Sequence, residues 1–348
     1  MSRWIISARQ DLVWIHGSVV AGVALLALFA LLPASEALSH PALLAVVLWG
    51  VLFDGTHVMG TYARTYWAPD EESRASLPGG WSWALLAVGP ALAWWDAAFR
   101  AFLVAAYLWA YYHLAKQHWG FVALYRRRAR ERAGPEWLDR TLLWTVTLHP
   151  YARYALGPAY ASSGLPVLLP ADVALALRPI VDLASLALLM GVLAVAVRHA
   201  RRGALRLGPQ HLLVVVVGAF HAATFALLGD PLLITATLTI FHNLQYHRIV
   251  WHYEAGKGRR PLGGALRYLA MGVAFGACWY GARLVGSLWA GTTALGNALL
   301  GLGWGVALHH YLVDGRIWRV RRSPGVGRAL DVATASRMPT LAAGGAQG

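Results

Sequence analysis

The sequence predicts an all-α, polytopic helical membrane protein of about ten transmembrane helices in one bundle, and three features predict it. Of 348 residues, 58% are hydrophobic and only 13% are charged, against about 25% charged in soluble domains. The apolar residues fall in stretches of about 20, the length that spans a bilayer as a helix. The basic residues gather between those stretches and on one side of them. Helices are predicted near 14–34, 41–63, 81–96, 98–125, 141–160, 172–198, 209–228, 231–252, 265–287 and 291–313. The third is short and meets the fourth at Trp94-Trp95-Asp96, so it reads as a half-span or re-entrant segment.

Charge placement supports that count. With the N-terminus inside, the cytoplasmic segments are 61–80, 126–140, 199–208, 253–264 and 314–348. They hold Arg126-Arg127-Arg128, Arg201-Arg202, Lys257 with Arg259-Arg260, and Arg319 with Arg321-Arg322. The opposite loops, near 35–40, 161–171, 229–230 and 288–290, contain no Lys or Arg. The asymmetry predicts cytoplasmic N- and C-termini and a multi-pass protein of a bacterial-type inner (cytoplasmic) membrane. Residues 1–11 are short and mixed, without a small-residue cleavage site before the apolar run, so the first helix is expected to be retained. A net charge of +14 would suggest nucleic acid in a soluble chain. Here loops facing anionic membrane lipids account for it, and no nucleic-acid partner is expected. Residues 1–322 read as one transmembrane domain, and 323–348, rich in Gly, Ala and Ser, as a disordered cytoplasmic tail.

Four histidine-bearing blocks fall at similar depth in four different helices: Asp54-Gly-Thr-His57, His113-Leu-Ala-Lys-Gln-His118, His242-Asn-Leu-Gln-Tyr-His247 and His309-His310-Tyr-Leu-Val-Asp314. At 1.5 Å per residue, His57, His118, His247 and His309 lie roughly 6–10 Å below the cytoplasmic ends of their helices. His149 and His221, with His113 and His242, sit somewhat deeper in the same half. A neutral imidazole has one N–H and one lone pair to satisfy without water. One such residue can serve as interhelical packing, but a layer of them points to a metal, which takes several lone pairs at once. Cys278 is the single cysteine, so the ligands must be imidazole and carboxylate. The candidate metal ligands are therefore His57, His113, His118, His149, His221, His242, His247, His309 and His310. Asp54 and Asp314 are candidate catalytic groups, since Asp54–His57 and His310–Asp314 are spaced to share a helix face. An aspartate there would accept a histidine's outer N–H and raise its basicity.

Five residues separate His113 from His118, and His242 from His247, which is about 140° of helix rotation. One member of each pair is therefore expected at the metal and the other beside it. Trp109 and Trp304 are deep enough to line a pocket. Arg64, Lys116, Arg248 and Arg316 flank the blocks and are expected to snorkel to lipid phosphates.

The blocks and their order resemble, distantly, the bacterial Brp/Blh-type β-carotene dioxygenases, histidine-rich integral-membrane enzymes. The likeness rests on Asp54-Gly-Thr-His57, on His118-Trp119-Gly120-Phe121, on His242 and His247 leading into Ile249-Val250-Trp251, and on His309 with Asp314 and then Arg319. This chain has Leu308 where that family has proline, a first aspartate that precedes its histidine, and a spacing of five in the third block instead of four. The resemblance implies non-haem iron, dioxygen and a polyene or other lipid. It also implies His57, His118, His242, His247 and His309 as ligands, supported by Asp54 and Asp314.

The leading expectation is a non-haem iron oxygenase, with one or two ions, acting on a lipophilic small molecule such as a carotenoid or long-chain lipid. An electron-donor protein is compatible with it, and the oligomeric state is open. A proton- or metal-coupled transporter would need polar residues through the full thickness. A haem protein would need two facing imidazoles and leaves the other histidines unexplained.

Overall fold

The apolar segments fold as helices. The computed structural model describes residues 3–31, 40–75, 77–129, 134–163, 165, 169–320 and 323–330, and every regular element among them is helical. The principal ones are α1 (Ala8–Leu31), α2 (His40–Trp49 and Gly55–Arg64, joined by a π-turn over Gly50–Asp54), α3 (Gly80–Leu92) and α4 (Asp96–Ala129). They continue as α5 (Glu136–Ala155), α6 (Ala171–Arg201), α7 (Pro209–Leu227), α8 (Pro231–Gly256), α9 (Ala265–Trp289) and α10 (Ala294–Ile317). Each corresponds to one of the ten helices predicted above.

Five segments of these helices are long and apolar enough to cross a membrane: Ala8–Leu31, Leu44–Arg64, Ala171–Arg201, Pro209–Leu227 and Ala265–Gly286. The protein is thus a multi-pass, membrane-embedded helical bundle. Helices α4, α5, α8 and α10 have 34, 20, 26 and 24 residues, enough to cross at 1.5 Å per residue. Their mean hydropathy is lower because they carry the polar groups that face one another inside the bundle. α3 is only about 20 Å long, short of the roughly 30 Å hydrocarbon core.

Burial separates the centre from the rim. α8 buries Ile240, Phe241, His242 and Asn243 in succession, which covers the whole circumference of a helix. It packs against α1, α2, α4 and α7. α6 is the opposite case. It leaves Leu175, Ile180, Leu183, Leu186, Met190 and Leu193 exposed and packs against α5. An exposed apolar surface of that extent on a 31-residue helix suits contact with lipid. α2 and α9 run antiparallel in close contact: a Cβ on Gly55 would fall 2.3 Å from the Gly276 Cα, and one on Gly50 would meet the Tyr280 ring. Only small residues allow helix backbones to approach so closely.

Two expectations give way here. Pro324–Ala329, placed in the tail from the sequence, is a short helix with Val326, Ala329 and Leu330 buried against α8. Those apolar side chains find a surface despite the glycine-rich sequence around them. The remainder of the predicted tail, 331–348, lies outside the described residues. Arg64 does not snorkel. It is buried between the rings of Tyr253 and Trp318, at 4.1 and 4.0 Å, and donates to the Ile317 carbonyl. That carbonyl ends α10, where a cation is favoured by the helix dipole.

Candidate metal centre

Four imidazoles from four helices meet inside the bundle: His57 of α2, His113 of α4, His242 of α8 and His310 of α10. Adjacent ring centroids are 4.7 Å apart for His57–His242, 5.3 Å for His242–His113, 5.2 Å for His113–His310 and 4.6 Å for His310–His57, a closed circuit. All four are buried. The π-turn at Gly50–Asp54 precedes His57, and such a turn shifts the phase of the side chains that follow it.

The nitrogens explain what the circuit can do. The His57 Nε2 lies 2.9 Å from the His310 Nε2 and 3.3 Å from the His242 Nε2. One ring nitrogen carries either one proton or one lone pair, so hydrogen bonding cannot serve both neighbours well. A shared cation can. With metal–nitrogen bonds of about 2.1 Å, ligand nitrogens stand roughly 3.0–3.4 Å apart; the 3.3 Å distance falls in that range and the 2.9 Å distance just below it. One ligand nitrogen each from His57, His113 and His242 all lie within 4.8 Å of one another. The His113 Nε2 has no hydrogen-bond partner, nor do the Nδ1 atoms of His57, His242 and His310. Of these, the His113 Nε2 is free to bind a metal with the crowded Nε2 atoms of the other three rings, whose Nδ1 atoms lie on the far side of each ring.

The other predicted residues are placed as follows. The His247 Nδ1 pairs with the Tyr268 hydroxyl at 2.9 Å, its ring also bonds the Phe53 backbone, and its centroid is 6.4 Å from that of His57. His118 and His221 form a separate buried pair, centroids 5.9 Å apart. The Tyr111 hydroxyl donates to the Thr147 carbonyl at 2.6 Å and so accepts from the His221 Nδ1 at 2.9 Å. This leaves the His221 Nε2 as a bare lone pair. His309 turns away, stacking on Trp83 at 4.1 Å and reaching the hydroxyls of Tyr62 and Ser82 at 3.1 and 3.3 Å. His149 pairs with Asp182 at 2.8 Å in the seam between α5 and α6.

Neither aspartate holds a histidine as expected. Asp54 accepts from the Tyr280 hydroxyl and from Asn243, so its oxygens are already occupied one turn from His57. Asp314 accepts from the Trp318 Nε1 at 2.8 Å, and its Oδ2 stands 4.0 Å from the His113 Nε2. It faces His113 across the site rather than His310 on its own helix.

A cavity of about 230 Å³ starts at the four histidines, and its walls include Leu114, Leu238, Phe225 and Leu232. His242 and Pro231 both line it, and the eleven residue steps of α8 from one to the other span about 16 Å. Trp304 lines it too, whereas Trp109 packs in the apolar cluster around Phe99 and Phe102. Tyr280, Asn243 and Arg283 belong to the site and escaped sequence reading. The spacing of Tyr280 and Arg283 on α9, three residues apart, was the signal available. Comparisons with protein-family models, with curated proteins and with solved structures find no significant match.

Proposed function

We propose that the protein is a metal-dependent oxygenase of the membrane interior, with non-haem iron as its metal and a lipophilic molecule as its substrate. The observation that carries this reading is the meeting of four buried imidazoles, three of them able to offer ligand nitrogens to one ion, at one end of a largely apolar cavity. His57, His113, His242 and His310 would hold the ion, and an all-nitrogen set with a carboxylate nearby suits Fe(II). Iron bound there supplies the redox chemistry that activates dioxygen. The chain's own residues do the rest. The apolar walls bind one length of hydrocarbon and exclude water. Asp314, facing His113, is positioned to orient that ring or to take its proton, while Asp54, also on the cavity wall, is held by Tyr280 and Asn243. The volume fits part of a chain, since whole drug-sized ligands occupy about 300–1,000 Å³. Ten spans with both termini cytoplasmic in a bacterial-type inner membrane complete the reading.

Two observations favour it over the alternatives. A transporter needs a continuous polar path, but the cavity's lining is mostly apolar, with Leu114, Leu165, Leu232, Leu238 and Phe225 set among the hydroxyls of Thr235, Thr239 and Tyr107. A bis-histidine haem needs its two nitrogens on opposite faces of a macrocycle, and Nε2 atoms 2.9 Å apart leave no room for one.

The test is elemental analysis of the full chain purified in detergent, followed by oxygen uptake with long-chain polyenes. The expected result is one or two iron ions per chain and substrate-dependent uptake. Metal-free protein of unchanged helicity, after expression with ample iron, would overturn the proposal.

A further inference from the structure

Arg283 is a charge in an apolar cavity with no anion on it. It lies in α9, six residues before the helix ends at Trp289. A snorkelling arginine at that position would extend toward the nearby end. This one turns back: its guanidinium sits 5.3 Å from the Trp279 ring and 5.2 Å from the Tyr280 ring, four and three residues toward the helix N-terminus. The Trp304 ring of α10 lies 5.0 Å away. Gly303 makes the turn possible, since a Cβ there would fall 2.2 Å from the Arg283 Cγ.

Aromatic faces stabilise a guanidinium from above and below while its N–H groups, which lie in its plane, stay available. Among the described residues Arg283 has no carboxylate within ion-pair distance. Asp54 tempers its charge from behind Tyr280 but spends its own oxygens on Tyr280 and Asn243. An ionisable residue in the membrane interior marks a binding site by default, and this one lines the same cavity as the histidines.

We infer that Arg283 is the anchor for a carboxylate, and that the substrate is a long-chain lipophilic acid held head-on by this arginine with its chain beside the four histidines. This deepens the oxygenase reading and rests on it for the fate of the chain. A planar carboxylate matches the guanidinium fork in a two-point contact. It is also no wider than its own hydrocarbon, whereas a phospholipid head brings glycerol and a second chain into a space of about 230 Å³. Tyr280 meets Gly50 with its ring and Asp54 with its hydroxyl, so the arginine's aromatic cradle lies three to seven residues of α2 from His57. That is roughly 5–10 Å along α2, a short reach from the acid group to the carbons beside the histidines.

Binding can be measured without metal or oxygen. The full chain in detergent at pH 8 is titrated with 11-bromoundecanoic acid and with its methyl ester, following saturable quenching of tryptophan fluorescence. The acid is expected to bind about tenfold more tightly, as a charge-assisted hydrogen bond provides. In Arg283→Gln the two should bind alike, with wild-type helicity and metal content, and Arg283→Lys should fall between. Equal binding of acid and ester by the wild-type chain overturns the inference whether or not the variants fold. So does a preference that survives Arg283→Gln, or displacement of the bromo acid by decyl phosphate better than by decanoate. No preference in wild-type protein that still holds its metal rejects the anchor and spares the oxygenase. Metal-free protein that keeps the preference does the reverse.

Discussion

His57 and His149 are both histidines on membrane helices, and they end in opposite circumstances. In the seam between α5 and α6, the His149 Nε2 meets Asp182 at 2.8 Å, while Arg153 holds the other oxygen of that carboxylate at 3.2 Å. The cluster is local, charge-balanced and partly open, with 30% of the His149 side chain exposed. Nothing further is needed to satisfy it. At the centre, the His57 Nε2 meets two other Nε2 atoms and no carboxylate, and the surrounding rings leave further nitrogens bare. The difference lies in what each nitrogen faces. A histidine that finds an acid is interhelical glue, while histidines that find only one another await a cation.

That comparison breaks most sharply on metal content. His57→Ala or His242→Ala is expected to reduce bound metal from stoichiometric to near zero, while His149→Ala leaves it unchanged, both read by elemental analysis of purified protein. A loss of metal in His149→Ala would erase the distinction. Asp314→Asn comes next. A carboxylate that faces a ligand without binding the ion is typically worth about 10-fold or more in metal affinity, measured here by competition with a chromophoric chelator. Unchanged affinity would reduce Asp314 to a partner of Trp318.

The intermediate histidines sharpen the picture. His309→Phe should keep the full metal complement, because its ring stacks on Trp83 outside the circuit. His118→Ala should keep it also, and loss of half the metal would instead mark a second ion at the His118–His221 pair. The smallest effect lies outside the membrane. Burial works against ionised Asp70, but Lys257, Arg259 and Ser73 outweigh it and hold its carboxyl below the usual range. A lowered folded-state pKa contributes stability above the unfolded value of about 3.9, and that stability is lost as pH falls through the folded value. Thermal unfolding should therefore show Asp70→Asn about 1 kcal/mol less stable at pH 7, with the gap to wild type closing in strong acid.

Much of the site's raw material was legible before any fold was known. The four blocks, their common depth and the absence of thiol ligands all pointed to imidazole chemistry in one layer. The 140° argument also anticipated that His113 and His118 could not both face one centre. It could not say which would, since that depends on how α4 is rotated against α8 and α10. The same limit applies between His309 and His310. They are consecutive, about 100° apart on the helix, and only packing turned His310 inward and His309 toward Trp83. Arg283 was hidden for a related reason. A lone arginine near a helix end looks like a headgroup anchor until Gly303 is seen to admit its stem on the inner side.

The sequence by itself determined helical structure throughout the described residues, several membrane-spanning apolar segments and the supply of histidines, because hydropathy and helical period are local properties. The tertiary structure decided which four imidazoles share a centre, which acids they lack, and which charge faces the cavity. Those depend on rotation and close approach between helices far apart in the chain, where one missing Cβ or one π-turn redirects a side chain.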